Sequence, residues 1–191
     1  MNMSELLKKL ETYADSDYLP MHMPGHKRRM GDLGNPFFID ITEIDGFDDL
    51  HHAEGILKQA EERGAELYGS EETHYLVNGS TSGILAAISG CTAAGGTVLL
   101  ARNSHKSAYH AVLLRGLHVH YIYPQPAGKM GINGPVTAEN VDRLLEEHPE
   151  TKMVYITSPT YDGVVSDVEQ IAEVVHRRKL PLIVDEAHGA H

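Results

Sequence analysis

Four short stretches of this chain group residues that can act on a ligand, and each falls where an apolar run gives way to turn-forming residues. NGSTSG (78–83) sets the hydroxyls of Ser80, Thr81 and Ser82 behind a glycine that permits a tight turn. A helix starting there would aim free amides and the positive end of its dipole at an anion, although Ser and Thr also cap helices that bind nothing. RNSHKS (102–107) offers His105, whose imidazole can stack on a flat ligand or serve as an ordinary polar loop residue. SPTYDG (158–163) offers Ser158 and Thr160 ahead of an Asp-Gly pair, which by itself reads equally as a simple turn. PLIVDEAHGAH (181–191) runs an apolar segment into Asp185, an acid able to hold a cationic ligand atom.

The segments between these stretches supply the elements that would position them. Residues 1–50 form an N-terminal segment, with an amphipathic helix followed by the irregular MHMPGHKRRMGDLGNPFF. HHAEGILKQAEERGAELYG (51–69) has a helical pattern with Ile56, Leu57, Ala60 and Leu67 on one face and Gly69 as its stop. From there apolar strand candidates alternate with helix patterns. The strand candidates are 74–77, 97–101, 118–123, 152–157 and 181–185; helices at 137–147 and 167–179 open on Thr137 and Asp167. That alternation predicts βαβ units and a three-layer α/β/α fold with a mostly parallel sheet. In such a sheet, ligands bind beyond the carboxyl ends of the strands. An anion cradle, an imidazole, a hydroxyl pair and a carboxylate then share one rim, and pyridoxal 5′-phosphate (PLP) would use all four: its phosphate, its ring face, its ring substituents and its pyridinium nitrogen.

Other chemistries fit less well. The chain has no Gly-Lys-Ser/Thr loop, so DEAH (185–188) has no P-loop to serve as a helicase acid. His51 and His52 are adjacent and poorly placed to share an ion, and the pair His118 and His120 has no cysteine or carboxylate partner in view, so no metal is expected. A formal net charge of −11 disfavours nucleic acid. No run reaches the roughly 18 apolar residues of a membrane helix. Cys91 is the single cysteine, which excludes an intrachain disulfide and fits the cytoplasm.

Taken together, HMPGHK (22–27), DITEIDGFDDL (40–50), YGSEETHYLVNGSTSG (68–83), RNSHKS, SPTYDGV and VDEAHGAH (184–191) resemble the Orn/Lys/Arg decarboxylases, PLP enzymes of the aspartate-aminotransferase fold (fold type I). The resemblance implies that residues 51–191 are the first part of the PLP-binding major domain. It also implies roles by position: Ser80 and Thr81, with Ser82 beside them, for the phosphate; His105 for stacking on the ring; Asp185 for the ring nitrogen. Ala187 would lie on the other ring face, His188 near the cofactor, and Ser158 where many relatives of this fold carry an Asn toward the ring hydroxyl. His105, Asp185 and His188 are the expected catalytic residues. The implied reaction turns a small basic amino acid (arginine, lysine or ornithine) into the corresponding amine, in a homodimer or higher homo-oligomer. The family's Schiff-base lysine lies in a Ser-x-His-Lys motif downstream of DEAH, and none of the lysines present matches it. The chain is therefore expected to belong to a longer enzyme and to be inactive alone, with two further strands expected between the 74–77 strand and the 181–185 strand. Another fold type I reaction (aminotransferase, aldolase or lyase) or a non-catalytic partner are the competing expectations.

Overall fold

The apolar run TVLLA sits inside the molecule's sheet, where Val98, Leu99, Leu100 and Ala101 each find a covered face. A computed structural model describes residues 5–19 and 34–189, and divides the chain into two compact units, Met1–Thr73 and His74–His191. HMPGHK, with His22 and His26, lies outside the described residues, as does His191.

The second unit carries the sheet. Its elements are α3 (Gly79–Cys91), β1 (Thr97–Ala101), α4 (Lys106–Arg115), β2 (His118–Ile122), α5 (Ala138–Glu147), β3 (Thr151–Thr157), α6 (Val168–Arg177) and β4 (Leu182–Asp185). The strands are all parallel, in the order β2-β1-β3-β4. Alternation along each strand divides the core in two. Val98, Leu100, Met153 and Tyr155 pack with Ile84, Ile88, Ala108 and Ala111 of α3 and α4. Leu99, Ala101, Val154 and Ile156 pack with Val141, Leu145, Ile171 and Val175 of α5 and α6. The fold is thus the α/β/α sandwich expected. Burial of such side chains stabilises it by about 1.5–3 kcal/mol each before the entropy of ordering is counted.

The helix starts follow local chemistry. The Thr137 hydroxyl accepts from the Asn140 amide at 3.3 Å and the Asp167 carboxylate from the Gln170 amide at 3.1 Å, so both predicted caps are formed. One expectation fails. Residues 74–77 (HYLV) are not a strand but an irregular approach to a turn at 77–78. A parallel strand is defined by its ladder, and among the described residues none runs beside this segment or along the outer edge of β4.

In the first unit, the described residues form the α-helices α1 (Glu5–Ala14) and α2 (Ile56–Tyr68). Gly69 ends α2 in the left-handed region, where its amide reaches back to the carbonyls of Ala65 and Glu66. The predicted apolar face of α2 is only partly covered. Ile56 and Leu67 are exposed, and Glu61 is the buried residue. An amphipathic stripe is stabilised only where something packs on it. Asp48 organises the turn before α2: its carboxylate accepts from the amides of Asp49, Glu54, Gly55 and Leu57. These donors hold its pKa down to about 2. Among the described residues no helix is long and apolar enough to cross a membrane.

Candidate cofactor site at the carboxyl ends of the strands

Because β1, β3 and β4 run parallel, Ala101, Thr157 and Asp185 close their strands on one rim. Thr157 pairs in register with Asp185, and the Ser158 amide donates to the Asp185 carbonyl at 3.1 Å. The Asp185 side chain is buried and both of its oxygens are held. The Tyr155 hydroxyl donates to Oδ2 at 2.9 Å, and the Ala187 amide donates to Oδ1 at 3.1 Å. Burial, and then the neighbouring Asp185 charge, push the Tyr155 phenol far above its ordinary pKa, so it stays a donor. A carboxylate has about four acceptor positions, so one donor on each oxygen leaves capacity for another N–H.

Two residues back along β4, Ile183 packs into the α3/α4 core, and period-two alternation turns Asp185 to that same side. There a cleft of about 380 Å³ separates α3 from the end of β4. Ser80, Gly83 and Ala87 line it from α3; Ile183, Asp185 and Ala187 line it from β4 and the following turn; Leu76 closes one side. The size falls in the range of small-molecule sites. Gly79, at φ +65°, lets the chain turn sharply into α3. The free amides of the helix's first turn therefore lie beside Ser80.

The predicted site residues are distributed unequally around this cleft. Ser80, Asp185 and Ala187 line it. Thr81 is exposed in the next position of α3, while Ser82 turns its hydroxyl back to the Gly79 carbonyl at 2.9 Å. His105 caps α4 beyond β1: its Nδ1 lies 2.8 Å from Ser107 Oγ and accepts from the Ser107 amide. It is exposed and is not part of the cleft wall. Ser158 is buried, and its Oγ accepts from the Ser166 amide at 3.0 Å. Thr160 receives the Val164 amide on its own hydroxyl, so SPTYDG forms the turn that its Asp-Gly pair signals. His188 stands edge-on to Tyr161 with centroids 5.4 Å apart. Sequence reasoning missed Tyr155. The available signal was a tyrosine within a continuous apolar strand, whose hydroxyl must find a partner once buried.

PLP fits what is present. A buried carboxylate with spare acceptor capacity faces a cleft whose other wall begins with a helix amino terminus and a serine. Apolar Ile183, Leu76 and Ala87 lie between them.

Residues 4–191 match the Orn/Lys/Arg decarboxylase family model, major domain. The chain is 39% identical over 198 residues to the uncharacterized protein YaaO of Bacillus subtilis (strain 168), covering 97% of this chain and 40% of that protein. It is 35% identical over 190 residues to an arginine decarboxylase of the same organism, covering 95% of this chain and 39% of the enzyme. It therefore spans about two fifths of the length of these relatives. Among solved structures, SPT with PLP superposes with a TM-score of 0.53 at 18% identity, over 67% of this chain and 30% of that one. This likeness shows a shared fold, that of the PLP-dependent fold type I enzymes.

Proposed function

Since the chain belongs to the Orn/Lys/Arg decarboxylase family, we propose that it forms part of an enzyme that decarboxylates a basic amino acid with the help of PLP. The observation that carries this reading is the doubly held Asp185 facing Ser80 across one cleft. Arginine is the substrate we favour, because an arginine decarboxylase is among the relatives above 30% identity. The chain's share of its relatives' length supports placing it within a longer enzyme, in which a lysine from outside the motifs seen here would hold the cofactor aldehyde.

In this reading Ser80, Thr81 and the first-turn amides of α3 receive the phosphate. Asp185 accepts the ring N–H and keeps that proton in place. Tyr155 and the Ala187 amide fix the carboxylate so that it need not reorient as charge develops, the condition under which an electrostatic partner is most effective. When bound, the cofactor supplies an electron sink for the carbon that loses carbon dioxide. Ile183, Leu76 and Ala87 give the ring apolar surroundings. His105 caps α4 through Nδ1, which leaves its ring face free to stack, and His188 stands edge-on to Tyr161. A homo-oligomer in the cytoplasm is the setting we propose.

The test is product analysis with the full-length enzyme on arginine, lysine and ornithine. Carbon dioxide and the matching amine are expected, and Asp185→Asn should lower kcat by about 10²–10³-fold. A keto-acid product would replace this reading with an aminotransferase. No turnover of any of the three, with PLP bound, would leave a non-catalytic partner.

A further inference from the structure

The outer edge of the sheet carries a second cluster, remote in sequence from the cleft. His120 stands in the middle of β2, His148 caps the carboxyl end of α5, and Glu150 immediately precedes β3. Of the strand pair His118 and His120, without a carboxylate partner when read from sequence, His120 gains one in the fold. Glu150 Oε1 lies 3.4 Å from His120 Nε2 and 3.6 Å from His148 Nδ1. One ligand atom from each residue falls within 4.8 Å of the others.

We propose that His120, His148 and Glu150 form a binding site for a divalent transition ion of the Zn²⁺ class, which clamps edge strand β2 to the α5–β3 connection. The spacing carries the proposal. Bonds of 2.0–2.1 Å in a tetrahedral site place neighbouring ligand atoms about 3.3 Å apart. The two nitrogen-to-oxygen distances already stand close to that edge length. Two imidazoles and a carboxylate are a borderline ligand set that suits Zn²⁺ over Mg²⁺ or Ca²⁺, with water free to take the fourth position. The side chains are 37%, 27% and 50% exposed for His120, His148 and Glu150, so an ion can enter. Their backbones are fixed. His120 is paired with Leu99 in the ladder, the His148 amide donates to Leu144, and the Thr151 amide closes the turn on the His148 carbonyl.

The two rings are stacked, with centroids 3.4 Å apart and planes 11° from parallel. An ion bound in the plane of both requires them to splay. Imidazole χ2 is a broad torsion that permits this at low cost.

The test is calorimetric titration of Zn²⁺ into the chain carrying Cys91→Ser, which removes the exposed thiol as a competing ligand. One equivalent should bind, reversibly with EDTA. His120→Ala and Glu150→Gln should each weaken binding by roughly 10-fold or more, since even supporting groups around a metal contribute that much. Both side chains are partly exposed, so both variants should keep the parent circular dichroism spectrum. Absence of saturable uptake overturns the site. So does uptake that either variant leaves unchanged, which would assign the ion to others among the 13 histidines.

Discussion

The Tyr155 hydroxyl donates to Asp185 Oδ2 at 2.9 Å across neighbouring strands β3 and β4, on the sheet face turned to α3 and α4. Tyr155 is wholly buried, so the bond has no water to replace it. Tyr155→Phe should destabilise the fold by about 1.5–3 kcal/mol, the usual contribution of a hydrogen bond to a charged group. Chemical denaturation measures this. If Tyr155 also positions Asp185 for the cofactor, the same variant should bind PLP more weakly than wild type under conditions where both are fully folded. Equal PLP affinity would reduce the tyrosine to a packing role.

The elements around this pair differ in how far the sequence revealed them. β1 is found at its predicted bounds because a parallel strand covered on both faces needs a continuous apolar run. α5 and α6 start where predicted because Thr137 and Asp167 carry their capping chemistry locally. HYLV reads as a strand by composition, but strand formation depends on a neighbour, and composition does not encode one. The same limit hid the two long-range relationships that matter most. Tyr155 and Asp185 are 30 residues apart and meet only through the β3–β4 register. Glu150 reaches His120 only because β2 and β3 flank β1 while α5 lies across them. Asp185 itself was legible because a strand's carboxyl end is a position of known use in this architecture.

In the first unit, Asp48 accepts four backbone amides and sits at φ +68°. Its folded pKa of about 2 lies below the ordinary 3.8. The sign follows from linkage: the stabilisation is fully present above about pH 3.8 and is lost as pH falls through about 2. Protection of the Gly55 and Leu57 amides, relative to their intrinsic exchange rate at each pH, should fall across that window. Asp48→Gly separates backbone from carboxylate, since glycine accepts the left-handed conformation freely. Faster exchange at both amides in Asp48→Gly, at neutral pH, would show that the carboxylate governs. Unchanged exchange would assign the turn to the backbone alone.

Ser80 and Thr81 can be tested apart from catalysis. Replacing both by Ala removes two hydroxyl donors but leaves the helix amides. PLP affinity should fall by about tenfold, since each hydrogen bond to a charged group is worth 1.5–3 kcal/mol at most and water compensates in part. Affinity for pyridoxal, which lacks the phosphate, should not change. A parallel loss for both compounds would move the phosphate away from α3.

Gly189, in the turn after Asp185, and Gly83, across the cleft from it, should respond oppositely to alanine. At Gly189 an added Cβ meets the stiff Pro159 ring, with Cγ only 2.8 Å away. Pro159 cannot swing aside as a flexible side chain can, so the turn must move. That shift threatens the Gly189 amide's bond to the Glu186 carbonyl and the Ala187 amide's bond to Asp185. Gly189→Ala should therefore cost about 1–3 kcal/mol by overpacking. At Gly83 the added Cβ meets Leu76 Cδ1 at 2.6 Å, the far end of a half-exposed side chain that can rotate. Gly83 lies inside α3, where alanine is favoured over glycine by about 0.8–1.0 kcal/mol. Gly83→Ala should raise the melting temperature slightly. It also places a methyl group on the wall of the cleft, so PLP affinity should fall in the same protein. Stability and cofactor binding moving in opposite directions would locate the cofactor against α3. A variant with both unchanged, or both improved, would argue that the ring lies elsewhere along the rim.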